Sequence, residues 1–132
     1  MFGLQLRYLS FFFGLISILS FFNIIYSYYL NLYLNLDTYY LSLIFSIIIS
    51  IIFYKVKNPA KKPNIYNKIL TTFFGYIILP LILCIPFYFS IYNLTFLNSF
   101  FEAISGFTST GFTIFDNIKH IDQSLILWRS SI

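Results

Sequence analysis

Three stretches of the chain, residues 8 to 36, 38 to 54 and 69 to 101, contain no Asp, Glu, Lys or Arg. Between the second and third lies a polar loop with Lys55, Lys57, Lys61, Lys62 and Lys68, interrupted by Pro59 and Pro63. A helix that crosses a membrane needs about 20 mostly apolar residues. The first stretch therefore predicts a span from about Leu9 to Leu30, and the second a shorter one from Tyr39 to Val56. The third is too long for one span: as helix it would measure ~50 Å at about 1.5 Å per residue, against a hydrocarbon core of ~30 Å. It crosses and then does something else.

Within the first span Ser17, Ser20, Asn23 and Ser27 suit either packing against a neighbouring helix or ordinary membrane-helix composition. The segment is too long for a signal-peptide core, and no small-residue cleavage site follows it. In the second span Ser42, Ser46 and Ser50 recur at every fourth position, which places three small residues on one helical face and permits close helix approach. The third span starts near Ile69 and contains Pro80 and Pro86. Proline frees a backbone carbonyl and kinks or ends a helix, so this span should stop between Tyr88 and Tyr92. Cys84 lies inside it as a lone buried thiol. The Asn93-Leu94-Thr95 triplet has the form of a glycosylation acceptor, a pattern common by chance.

From Leu97 to Gly106 the pattern predicts an amphipathic helix of half the length needed to cross. Then Phe107-Thr108-Ser109-Thr110-Gly111-Phe112-Thr113 breaks helical periodicity with hydroxyl residues and glycine. Irregular backbone survives at membrane depth only where protein buries it or where it lines a watery cavity. One reading of the run is an external loop between two helices. The other is an ion filter, in which backbone carbonyls replace an ion's hydration shell, glycine permits the turn and the short helix directs its negative end at a cation. A last helix begins near Ser124. The fold class is thus an all-α polytopic membrane protein: three transmembrane helices, a re-entrant pore helix with a filter strand, and the start of a fourth span. Residues 1–68 hold the two leading helices and the basic loop, and residues 69–132 an incomplete helix, pore loop and helix unit.

Composition agrees with lipid as the solvent. Of 132 residues 59% are hydrophobic and only 9% charged, whereas a globular domain carries roughly 25% charged residues. The formal net charge of +4 does not mark a nucleic-acid binder, because the basic residues crowd into one loop with no aromatic-interleaved basic face. That loop instead follows the positive-inside bias and lies at the cytoplasmic headgroups; with Arg7 inside and Asp37 outside, the N-terminus is cytoplasmic. No phosphate-cradling glycine loop, paired His and Cys, or Ser, His and acid set points to an enzyme. Asp116, Lys119, His120 and Asp122 read as a solvated outer loop without ligand spacing for a metal.

The segment FFEAISGFTSTGFT (residues 100–113), followed by SLILWRS (residues 124–130), resembles the first repeat of the Trk/Ktr-type potassium transporter family, in particular the membrane subunit of bacterial Trk systems. The resemblance covers most of the chain, most specifically Phe100 to Thr113. It implies that four pseudo-repeats surround one pore and that each supplies a filter strand with a central glycine. Gly111 is then the filter glycine, flanked by Thr108, Ser109, Thr110, Phe112 and Thr113. The carbonyls of Ser109, Thr110 and Gly111 are expected to contact the ion, and Ser105 and Gly106 belong to the supporting pore helix. Potassium is the transported substrate, with no cofactor. The family further implies the inner (plasma) membrane, a homodimer and a cytosolic, nucleotide-binding regulatory subunit against the inner surface.

Glu102 is the sole ionisable group of the pore helix, and an unpaired carboxylate there is costly. It either accepts backbone amides behind the filter, pairs with Arg129, or reaches the outer interface. The chain departs from the family by stopping at Ile132, before the glycine-rich continuation and the other three repeats. The expectation is a truncated product or a fragment of a split gene, and the alternative function is a small, non-conducting structural or interaction protein of the membrane.

Overall fold

A computed structural model describes residues 5–56, 64–115 and 120–132. Lys57, Lys61, Lys62, Pro59 and Pro63 of the basic loop, and Asp116 and Lys119 of the later loop, lie outside the described residues. The elements are α1 (Leu6–Tyr29), α2 (Leu36–Lys55), α3 (Ile65–Leu83), α4 (Ile85–Tyr88), α5 (Phe96–Phe107) and α6 (Gln123–Ser131), with no β-strand among the described residues. Helices α1, α2 and the α3–α4 run are 24, 20 and 24 residues long and apolar enough to cross a membrane. The segment expected to form a filter strand is irregular backbone, pairing with no strand.

Helix α1 is inside out relative to a helix of a water-soluble domain. Tyr8, Phe11, Leu15, Ile18, Phe22 and Ile25 form an exposed apolar stripe at alternating steps of three and four, while Phe13, Ile16, Ser20, Asn23 and Ser27 are buried. Such spacing keeps each set on one face. Lipid removes the penalty on exposed apolar surface, so the small and polar residues take the contact side.

That side packs antiparallel against α2 through serines. Ser17 and Ser46 hydroxyls lie 2.8 Å apart, the Ser20 hydroxyl donates to Ser42 at 3.4 Å, and Ser50 donates to the carbonyl of Ser10 at 2.8 Å. The small-residue face of the second span is therefore the α1–α2 seam. Asn31 closes α1 in the left-handed region, φ 56°, with Leu32 donating to Ser27 and Asn31 to Tyr28. This paired closure is a common helix C-terminus, and Asn tolerates it.

Helix α3 begins at Ile65, four positions before the expected Ile69, because the Asn64 side chain accepts the Ile65 amide at 2.8 Å. Pro80 sits inside it, the helix breaks at Cys84, and α4 resumes with Pro86 in its first turn. The run ends at Tyr88, at the near edge of the expected stop. Beside the break the carbonyl of Leu83 accepts the indole N–H of the fully buried Trp128 at 3.1 Å, so α6 is fastened where α3 is interrupted. Cys84 is buried and free.

The two ends of the bundle differ. At one, Gln5 donates to the Thr71 hydroxyl at 3.0 Å and the Arg7 guanidinium stands 5.0 Å above the Tyr54 ring, close to where α2 ends at Lys55. At the other, residues of the α1–α2 turn, the segment after α4 and the start of α6 meet in a buried polar cluster centred on Asn35 and Asp122.

Candidate functional site

Helix α5 starts at the polar-cluster end, where the Thr95 hydroxyl accepts the Asn98 amide at 3.3 Å. Its 12 residues span ~18 Å at about 1.5 Å per residue, short of the ~30 Å core. It ends with Phe107 against Tyr76, ring centroids 5.4 Å apart, in the middle of α3. There the chain turns. Ser109 donates to the carbonyl of Gly106 at 2.9 Å and Thr110 to that of Ser105 at 3.0 Å, the bond pair that closes a helix through one left-handed residue. Ser109 holds that position with φ 54°, where glycine is usual and any other residue is strained.

After the turn the backbone climbs back beside α5. The Ser105 hydroxyl donates to the carbonyl of Phe112 at 2.6 Å; one turn further out, Oε1 of Glu102 accepts the Thr113 hydroxyl at 2.7 Å and the Ile114 amide at 2.6 Å. Phe115 then meets Tyr92, centroids 5.9 Å apart. The chain thus enters as a helix and leaves as irregular backbone on the same side of the bundle. Gly111 has φ 77°. A side chain there would meet no atom within 4 Å, so the demand for glycine comes from the backbone and not from space.

Arg129 of α6 completes the arrangement. Its Nη2 donates to the carbonyls of Phe112 at 2.8 Å and Gly111 at 3.2 Å, and its Nε lies 2.9 Å from Oε2 of Glu102. The last contact is an ion pair without the alignment of a hydrogen bond, and neither atom has another partner among the described residues. Glu102 is fully buried and Arg129 one-fifth exposed. Of the three alternatives for this carboxylate, the structure joins two, backbone amide and Arg129, and removes the third. Gly106 permits the approach: a Cβ on it would lie 2.7 Å from Cγ1 of Ile132, beside the end of α6.

The Gly111 carbonyl, expected to contact the ion, accepts Arg129 Nη2 at 3.2 Å with one of its two lone pairs. The carbonyls of Ser109 and Thr110 receive no hydrogen bond from any described residue. Thr108 and Thr110 are exposed residues whose hydroxyls lie 3.3 Å apart and reach the carbonyls of Ile104 at 2.7 Å and Ser105 at 3.2 Å. A cleft of about 350 Å³ between this segment and α6 is lined by Ser105, Ser109, Gly111, Phe115 and Arg129 among others.

Asp122, expected in a solvated loop, is buried. Its carboxylate accepts Asn35 Nδ2 at 2.9 Å and the Ser124 hydroxyl at 2.6 Å, and its amide donates to the Tyr92 hydroxyl at 2.6 Å. It also caps α6. Ser124 in turn meets the Tyr39 hydroxyl at 2.9 Å, and its carbonyl accepts Asn23 Nδ2 at 3.3 Å. This cluster docks α6 on the α1–α2 hairpin and so places Arg129 in depth and rotation. The one sequence signal for it was an acidic residue three positions before the apolar run Leu125 to Trp128, the form of a helix cap.

The three long apolar helices and this inward-folded segment define a multi-pass membrane protein. Across 119 residues, 89% of its length, the chain is 27% identical to an uncharacterized cation transporter of Methanocaldococcus jannaschii. It spans 25% of that protein's length. No family model matches the chain, and no solved structure matches it.

Proposed function

We propose that this chain is the N-terminal part of a potassium uptake transporter of the Trk type, two leading helices followed by the first filter-bearing repeat, in which residues 108–113 form one wall of the ion path. The observation that carries the reading is the seating of that segment. Irregular backbone is held against a half-length helix by Glu102 and Arg129, and irregular backbone at membrane depth needs either burial or a watery cavity. The similarity to a protein named as a cation transporter supports the same reading. The carbonyls of Ser109 and Thr110, with the Thr108 and Thr110 hydroxyls, are the ion contacts in this proposal. Gly111 supplies the backbone hand that turns the chain, and its carbonyl anchors the segment to Arg129. The basic end faces the cytoplasm of the plasma (inner) membrane, on the positive-inside bias. Further filter repeats, a second copy and a cytosolic nucleotide-binding subunit complete the working assembly.

The deciding experiment is rubidium and potassium uptake by a host lacking its own potassium uptake systems, expressing the whole gene product that contains this segment. Saturable uptake that favours potassium over sodium, and that falls at least tenfold with Gly111→Ala, is expected. Uptake indifferent to Gly111 overturns the assignment of this segment to the ion path.

A further inference from the structure

A second cavity, of about 510 Å³, opens on the outer surface between α1 and α3. Its floor is Leu9, Gly75 and Leu79, its closed end is Phe107, and its rim carries Tyr8 and Lys68. Gly75 lets the two helices touch at the floor, since a Cβ there would stand 3.2 Å from Leu9 Cδ2. From Lys68 to Leu79 the groove follows α3 for ~16 Å at about 1.5 Å per residue, about half of the ~30 Å hydrocarbon core. It therefore has the depth of one leaflet, with a cation at the headgroup level and an aromatic ring at the midplane.

The charge at that rim has no counterpart among the described residues. No Asp or Glu occurs between residues 38 and 101, and Lys68 forms no ion pair with any described residue. Lys55 ends α2 at the same end of the bundle, while Arg7 is directed onto the Tyr54 ring. A slot that is apolar along its length and cationic at its mouth complements an amphiphile with a negative head.

We propose that this groove binds one anionic phospholipid from the leaflet at the lysine-bearing end, its phosphate at Lys68 and one acyl chain laid over Gly75 as far as Phe107. Basic pockets between membrane helices attract such headgroups, while the acyl chain, already in an apolar medium, contributes packing contacts along the groove rather than hydrophobic burial. The site is separate from the Glu102–Arg129 arrangement and stands whether or not the transport reading does.

The test is native mass spectrometry of the detergent-solubilised protein titrated with dioleoyl phosphatidylglycerol or with phosphatidylcholine of the same chains. The expected result is a single retained phosphatidylglycerol, favoured about fivefold, the equivalent of about 1 kcal/mol for one basic residue at an anionic headgroup. Lys68→Gln should abolish the preference, and Lys55→Gln, at the same end but off the groove, should keep it. Thr72→Trp, which fills the slot from its exposed rim, should reduce retention of both lipids, with helix content checked by circular dichroism. Equal retention of the two lipids overturns the proposal. So does a preference that survives Lys68→Gln, or one that Lys55→Gln lowers equally, since the charge then acts diffusely. Lack of any bound lipid overturns it too and leaves the groove to another polypeptide segment.

Discussion

Glu102 and Arg129 meet at 2.9 Å with the backbone from Gly111 to Ile114 caught between them. The division of labour follows charge: the guanidinium takes the carbonyls of Gly111 and Phe112, while the carboxylate takes the amide of Ile114 and the hydroxyl of Thr113. One ion pair thus satisfies both kinds of backbone group in a stretch that has no helix or sheet to do so. Removing one member of a buried pair strands the other, at a cost of about 3–5 kcal/mol. Arg129→Ala leaves the fully buried carboxylate alone and should reach that range. Glu102→Gln keeps an acceptor for Ile114 and leaves a cation that water partly reaches, so its loss should be smaller. Thermal unfolding in detergent should rank the two in that order, and under the proposed function both should weaken potassium uptake by the whole gene product. The opposite ranking, or unchanged transport, contradicts the role given to the pair.

At the foot of the site, Ser109 occupies a left-handed position that costs a non-glycine residue about 1–2 kcal/mol. Ser109→Gly should therefore raise thermal stability by about 1 kcal/mol. Ser109→Val should lower it by more than that, since a branched side chain is least tolerated there. If glycine destabilises the protein instead, the hydroxyl has a role beyond the turn.

Gly111→Ala separates backbone hand from side-chain space. No atom would contact the added methyl, so the effect should be purely conformational, about 1–2 kcal/mol, and should appear in transport before it appears in folding. Wild-type uptake with alanine at this position removes the left-handed glycine from the mechanism.

Asp122→Ala takes away a helix cap, worth about 1 kcal/mol, and strands the buried amide of Asn35, worth about 1–3 kcal/mol. Their joint loss should approach about 3 kcal/mol on those figures. The same experiment in an Asn35→Ala background should show a much smaller increment. Additive losses would mean that the two side chains do not act through their 2.9 Å contact.

Ser46→Ala should cost little, about 0.6 kcal/mol for one interhelical hydrogen bond in a membrane. Ser46→Leu inserts bulk where the α1 and α2 hydroxyls stand 2.8 Å apart and should part the helices. A cysteine pair at positions 20 and 42, where the serine hydroxyls stand 3.4 Å apart, should crosslink in the parent background and fail to do so with Ser46→Leu. Crosslinking unaffected by Ser46→Leu would show that the seam tolerates separation.

The spans were legible because charge is nearly forbidden in lipid, so gaps between charges measure helices directly. Their starts were less so. Helix α3 reaches back past Lys68 to Ile65, and α2 takes in Asp37, because Asn64 caps the one and an acidic residue suits the positive first turn of the other. The half-length helix and the Thr and Gly rich break were readable as a change of period. What the spacing could not give was direction: that the Gly111 carbonyl turns toward Arg129 depends on where α6 docks. That docking rests on contacts such as Asn35 to Asp122, 87 positions apart. The burial of Asp122 was hidden for the same reason, since it stands in sequence among the charged and polar residues Asp116, Lys119, His120 and Gln123, while its neighbours in space are a buried amide, a phenol and a serine.

The serine row also orders events in time. Every residue in it lies between Ser10 and Ser50, so the first hairpin can close as soon as its own two helices have left the ribosome. Asn23, Asn35 and Tyr39 then wait for Asp122 and Ser124, an interval of about 4–15 s at 5–20 residues per second. Until that partner arrives, three polar side chains stand open on a finished surface, a socket ready for the helix that will bring Arg129 to its carboxylate.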